Sequence, residues 1–374
     1  MSTSPRWNWF ANLRIVVKAA LLFVVLNGLF ALLDPVESIG RISVYNTILP
    51  GRERLPYGEN PAESYNLSLF NIPAMFATHE VAASPAGDEF RVLLVGDSAT
   101  WGWLLEPDTT TTARLNSQNL TTSDGQRMTF YNVGYPALAL SKDLLLLDYA
   151  LRFDPDLIIW LVTLESFVPE NQLSPLVENN PRRMRDLIDR YDLTIDPENS
   201  RFLKRDFIDQ TIVGQRRALA NWLRLQGYAF SWASTGIDHT TGEYDRLTTT
   251  FEDDDIAWEG YDEPVELTAD DLAFDMLMAG MAMTEDADVP VLLVNEPIFI
   301  SNSESRYNLW YPRWAYDAYR DLLATVASAS GWAYVDLWDT LPPRLFTDSP
   351  VHFEQAGVIV LGDALIPAIQ ALSP

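Results

Sequence analysis

Hydrophobic positions divide this chain into three parts: one unbroken apolar run, a stretch without periodicity, and a repeating alternation of short strands and helices. The run IVVKAALLFVVLNGLFALL, Ile15 to Leu33, is interrupted only by Lys18 and Asn27. At 1.5 Å rise per residue it spans roughly 28 Å, close to the thickness of a bilayer's hydrocarbon layer. Residues 35–88 are rich in Pro, Asn and Ser and read as a linker or wrapping segment. Five short apolar runs follow: RVLLVGDS (91–98), TFYNVGY (129–135), LIIWLVT (157–163), VPVLLVNEP (289–297) and WAYVDLW (332–338). Each has the length and composition of a buried parallel strand. Helical spacing appears at 141–153, with Ser141 as its cap, and at 267–286, 313–329 and 355–372. This rhythm predicts an α/β domain over 89–374: three layers, α/β/α, around a five-stranded parallel sheet.

Charge orients the first run. Arg6, Arg14 and Lys18 stand at its start, and Asp34 and Glu37 follow it. The positive-inside rule then makes residues 1–14 cytoplasmic and 15–34 a transmembrane anchor, with the remainder extracytoplasmic. Lys18 can snorkel to the interface, where Trp7, Trp9 and Phe10 suit an aromatic belt. A cleaved signal peptide and a buried core helix are the plainer accounts. No small-x-small cleavage pattern follows the run (the nearest, Ala31-Leu32-Leu33, ends in leucine), and a core helix rarely lacks a polar face.

Across 374 residues, 52 acidic against 26 basic side chains give a formal charge of −26. Such a surface repels phosphate backbones, which argues against nucleic acid as a partner. The absence of cysteine removes disulfides, thiol catalysis, Cys-based zinc sites and an acylated-cysteine anchor. Imidazole is limited to His79, His239 and His352.

About 120 residues separate the third and fourth strands, far more than an ordinary connection. This insertion, 166–286, begins basic and helical, with Arg182, Arg183, Arg185, Lys204, Arg205, Arg216, Arg217 and Arg224, and turns acidic around Glu252 to Asp271. Asp253 to Asp255 read as a solvated turn, because they lack the alternating spacing of a calcium loop. Met276, Met278, Met281 and Met283 read as core packing. Residues 205–227 predict one helix with Phe207, Ile208, Ile212, Leu219, Trp222 and Leu223 among arginines. It could pack on the domain, its arginines answering the acidic turn. Alternatively it is a basic lid leaning on anionic lipid or an acidic glycan near the anchor.

Ligands of doubly wound sheets collect at the carboxyl ends of the strands. Those ends carry Asp97 and Ser98, Gly134, Thr163 to Glu165, Asn295 with Glu296, and Asp339. Ser98, on a tight turn leading into a helix, would project its hydroxyl there. The same Gly-Asp-Ser also reads as a βα turn in which Asp97 or Ser98 caps a helix. A nucleophilic serine needs a base. His352, in LFTDSPVHFEQAG ahead of the last helix, can return to the mouth of the first strand. Asp348, four residues upstream, is placed to hold the other ring nitrogen. His79 is the rival base, His239 lies in a polar turn, and His352 has its own plain reading as a capping or surface residue.

These blocks resemble the SGNH (GDSL-like) hydrolases, of the membrane-anchored bacterial kind, over 90–165 and 287–370. GDSATWG at 96–102 is similar to the family's first block, NVG at 132–134 to its second, and DSPVH followed by Gly357 to its last. The resemblance implies a flavodoxin-like sheet with Ser98 as nucleophile, His352 as base and Asp348 as the acid that orients it. It also implies that the Ser98 and Gly134 amides hold the oxyanion, without metal or cofactor. Two departures stand out. The third block, expected to give an asparagine donor, reads TLES, with Glu165 at that place and Thr163 and Asp97 lining the site. Asn295 is a candidate replacement donor. Asp348 lies one residue farther from His352 than the pattern has it, with Ser349 at the usual acid position.

The reading that follows is a membrane-anchored, extracytoplasmic serine acyl-ester hydrolase acting on an ester or acylated glycan. Two alternatives remain open: an O-acetyltransferase or deacetylase of cell-envelope polysaccharide, and a non-catalytic glycan-binding or assembly protein on the same scaffold.

Overall fold

The computed structural model describes residues 9–49, 51–55, 70–236, 244–247 and 256–374. His239 and Asp253 to Asp255 lie outside them. Helix α1 (Trp9–Leu33) is followed by the short helices α2 (Val36–Gly40), α3 (Val44–Ile48) and α4 (Ile72–Ala77). The sheet domain then runs β1 (Glu89–Val95), α5 (Ser98–Trp101), α6 (Thr111–Ser117), β2 (Arg127–Asn132), α7 (Leu140–Ala150) and β3 (Leu157–Val162). The insertion supplies α8 (Pro175–Asn179), α9 (Pro181–Tyr191), α10 (Arg216–Thr235) and α11 (Phe274–Asp286). The chain closes with β4 (Val291–Asn295), α12 (Arg313–Ser330), β5 (Ala333–Asp336) and α13 (Gln355–Leu372).

All five strands are parallel, in the order β2-β1-β3-β4-β5. The α/β, flavodoxin-like sheet expected from the sequence is therefore present. β1 lies inside it: Val92 faces Phe130 on β2 and Leu157 on β3. Every residue of β3 is buried, which explains why LIIWLV is a continuous apolar run rather than an alternating one. Helices α6 and α13 pack together over one face, and α7 and α11 over the other. Close approach on the second face depends on Gly280 of α11, where a Cβ would fall on the Trp160 ring of β3. Strand order reverses between β1 and β3, so the crevice beyond their carboxyl ends is the topological switch point.

Among the described residues of 35–88, several pack into the domain. Helix α4 is buried throughout, and Leu55, Phe76 and Val81 belong to the core. Arg54 bridges to Asn132 of β2 and lays its guanidinium 3.9 Å from the Trp101 ring.

Three local expectations need correction. Ser141 does not cap α7; it lies within the helix, and its hydroxyl donates to the Gln172 carbonyl. The 267–286 segment is broken, because Thr268 and Asp271 form a capping box around a separate turn before α11. The long helix at 205–227 starts only at Arg216. Ahead of it the chain folds back on itself, with the Thr211 hydroxyl on the Ile208 carbonyl and the Gly214 N–H on the Thr211 hydroxyl. The β-branched run Thr211-Ile212-Val213 and the carboxylates of Asp206 and Asp209, which each take the other's backbone N–H, favour this turn over a helix. Of the four methionines, Met276, Met281 and Met283 are buried and Met278 is exposed.

Candidate active site

β1 delivers the chain to the switch point, where Gly96 has no room for a side chain against Thr100 and the Leu161 carbonyl. Asp97 then caps the single turn of α5, its carboxylate accepting the Ala99 N–H at 2.7 Å. Ser98 opens that turn, and Gly102 ends it in the left-handed region at φ 94°, which glycine adopts at little cost. The helix-cap reading of Gly-Asp-Ser is thus true of Asp97 and leaves the Ser98 hydroxyl free for another partner. That partner is His352, whose Nε2 lies 2.7 Å from Ser98 Oγ.

His352 reaches the site on a loop clamped by the antiparallel bridge between Phe346 and Phe353 and by the Thr347 N–H on the His352 carbonyl. Its Nδ1 is 2.9 Å from Asp348 Oδ1. With Asp348 accepting at Nδ1–H, Nε2 is left as the acceptor for the serine hydroxyl proton. Ser349, at the place where the resembled pattern has its acid, instead accepts the N–H groups of Val351 and His352 at 3.3 Å. That turn absorbs the extra residue between Asp348 and His352. Burial pushes the Asp348 carboxyl up, but the hydrogen bond and charge of His352 outweigh it and hold the group below the usual carboxylate range.

Sequence reasoning missed Trp103. Its indole N–H donates to Asp348 Oδ2 at 3.2 Å, and its ring lies 5.9 Å from the His352 ring. The signal was present in the second tryptophan of GDSATWGW, since an indole N–H near a site needs an acceptor.

Gly134 packs directly against the serine turn: a Cβ there would lie 2.5 Å from the Trp101 nitrogen. Its own N–H donates to the Asn132 side-chain oxygen at 3.1 Å. Thr163 is buried, with its hydroxyl 3.3 Å from that of Tyr311. The Glu165 carboxylate is drawn to Asn171, whose amide donates to it at 2.9 Å. Burial raises the Glu165 carboxyl, Asn171 lowers it and the charge of Glu259 raises it further; the net direction is upward. Asn295 is fully buried, gives one amide N–H to Asp336 at 2.9 Å and accepts from Tyr319. His79 is also fully buried: Nδ1 accepts the Val81 N–H and Nε2 donates to the Asn132 carbonyl at 3.0 Å. Burial drives its pKa down to about 3, so it stays neutral and structural.

Beneath Ser98 lies a buried polar cluster. Lys142 donates to the Gly96 carbonyl at 2.7 Å and pairs with Asp143 at 2.5 Å. Glu296 lies buried near Asp97; burial first, then the charge of Asp97, raises the Glu296 carboxyl well above its ordinary range. A protonated Glu296 adds no second charge beneath Ser98.

No family model matches the chain, and no curated protein does. Solved structures do. The chain is similar to an acetylxylan esterase from Geobacillus stearothermophilus (TM-score 0.38, 12% identity, 76% of this chain and 95% of that one). It is also similar to a carbohydrate acetylesterase from Sinorhizobium meliloti (0.34, 14%, 75% and 99%) and to the M. smegmatis aryl esterase (0.32, 14%, 75% and 99%). These likenesses are loose.

Proposed function

We propose that this chain is a serine acyl-ester hydrolase held at the outer face of a membrane by α1. The observation that carries the chemistry is the continuous relay from Ser98 Oγ through His352 to Asp348, at 2.7 and 2.9 Å. Ser98 Oγ attacks the ester carbonyl while His352 Nε2 takes the hydroxyl proton. Asp348 stabilises the resulting imidazolium. The tetrahedral oxyanion is received by the Ser98 and Gly134 N–H groups, the latter turning from Asn132 to the developing charge. Collapse expels the alcohol, which leaves with the proton held by His352. Water, deprotonated by the same nitrogen, then cleaves the acyl-serine and restores Ser98. The engagement of Glu165 by Asn171 supports an active site, because that carboxylate has a partner other than the oxyanion.

The anchor reading draws on Asn12–Leu33, 22 residues with mean hydropathy 2.4 and little burial against the domain. The positive-inside asymmetry supports an outer location for the catalytic domain.

The test is labelling of the purified protein with a fluorophosphonate, followed by peptide mass mapping, alongside hydrolysis of an aryl acetate. Ser98 should carry the label, and Ser98→Ala should lose both label and turnover. Undiminished hydrolysis by Ser98→Ala would remove this function.

A further inference from the structure

The turn at 206–214 stands against α1, not against the sheet. The Val213 N–H donates to the side-chain oxygen of Asn27 at 3.2 Å, and Gln215 donates to Asp34 at 2.9 Å. Asn27 and Ala31, one helical turn apart, are buried, whereas most other described residues of α1 are exposed. Asn27 precedes the helix end at Leu33 by six residues, about 9 Å along the axis. Whatever surrounds α1 at that depth therefore also surrounds the turn. The turn exposes three large apolar side chains, Phe207 at 54%, Ile208 at 69% and Val213 at 44%, beside the carboxylates of Asp206 and Asp209.

From this juxtaposition we infer that residues 207–213 form a wedge in the outer leaflet beside the anchor, with lipid acyl chains as its partner. The inference rests on the anchor reading of α1. Backbone inside a bilayer must find its own hydrogen bonds. Here the Val213 N–H has Asn27, the Thr211 N–H has the Ile208 carbonyl, and the Gly214 N–H has the Thr211 hydroxyl. Asn27 itself, a polar residue in an apolar run, is satisfied twice: its amide donates to Phe23 and its oxygen accepts from Val213. Cations flank the wedge where headgroups begin. Arg182 pairs with Asp34, Arg183 with Glu37, and Arg216 reaches the Val213 carbonyl. Asp206 and Asp209 limit the depth, since their carboxylates must stay in the headgroup layer. The structure thus gives a tertiary role to an asparagine that the apolar run alone leaves unexplained.

The native chain has no cysteine, so single probes can be placed without background. Full-length Leu22→Cys (in α1), Ile208→Cys (in the turn) and Ile359→Cys (exposed on α13) are labelled with a bimane and reconstituted in phosphatidylcholine vesicles. Acyl-chain-brominated lipid then serves as quencher, and thermal melts establish that each variant is folded independently of any catalytic assay. The expected result is loss of at least half the fluorescence at positions 22 and 208, with position 359 unaffected. Quenching at 22 but not at 208 overturns the wedge and leaves the anchor standing. No quenching at any position overturns both. Equal quenching at 359 also overturns the wedge, because contact would then not be confined to the turn.

Discussion

Asp348 holds His352 in place and is itself held by Trp103 and the Thr347 hydroxyl. In the proposed mechanism it fixes the tautomer that leaves Nε2 ready for the serine proton, and a change that keeps shape but removes charge should expose this. Asp348→Asn should lower kcat by on the order of 10⁴ with KM nearly unchanged, as loss of the orienting carboxylate does in serine hydrolases. Trp103→Phe removes one N–H and keeps the ring. A hydrogen bond to a charged group contributes about 1.5–3 kcal/mol, so kcat should fall by roughly one to two orders of magnitude. Steady-state kinetics of both variants on the same aryl acetate check these values. A kcat for Trp103→Phe equal to wild type would make the indole a packing residue only.

Elements are joined at two glycines whose missing side chains serve different ends. Gly134, after β2, lets that strand's exit lie against α5, while Gly280 lets α11 settle on Trp160. Adding a methyl group at either position overpacks a filled space, at about 1–3 kcal/mol. Both alanine variants should therefore melt at lower temperature than wild type. Their activities should separate. Gly134→Ala presses on the Trp101 backbone, so turnover per folded molecule should collapse; Gly280→Ala is remote from Ser98 and should keep it. Calorimetry paired with active-site titration distinguishes the two, and equal retention of turnover would argue against a tight coupling of Gly134 to the serine turn.

The whole molecule is acidic, and several of its carboxyls are poorly placed to ionise. Burial pushes Glu53 up to about 7, against the pull of Thr110 and Arg54, and pushes Glu80 up to about 7 with the charges of Glu53 and Glu89 adding to it. In the unfolded chain both would titrate near 4.5. Between those values the folded state binds more protons than the unfolded one, so stability is greatest below pH 4.5 for these groups and declines as pH rises toward 7. Thermal melts of wild type should show this downward trend superimposed on other titrations. Glu53→Gln should flatten part of it and should melt higher than wild type at pH 8. The reverse order at pH 8 would mean that the ionised Glu53 is better solvated than its burial implies.

Sequence alone determined the sheet, because each strand is a short apolar run and both faces are covered, so burial leaves one readable pattern. It also offered Ser98, Asp348 and His352 as candidates, through the residue types that a nucleophile, its base and an orienting acid require and through the resemblance of their blocks to the SGNH pattern. Their mutual distances were not legible, since the loop from Phe346 to Phe353 is shaped by a bridge between residues seven apart and by the serine turn it faces. Trp103, the commitment of Asn295 to Asp336, and the pairing of Glu165 with Asn171 were likewise decided by neighbours distant in space or by local turns without periodicity. The turn at 206–214 is the sharpest case. Its apolar residues satisfy a helical period as well as they satisfy a folded turn; contact with Asn27 and the close packing at Gly214, where a Cβ would lie 2.5 Å from Asp209 Cα, join the local preferences of Asp206, Asp209 and the β-branched run in selecting the turn. Periodicity records which side of an element is buried; it carries no information about which other element buries it, and that choice belongs to the tertiary structure.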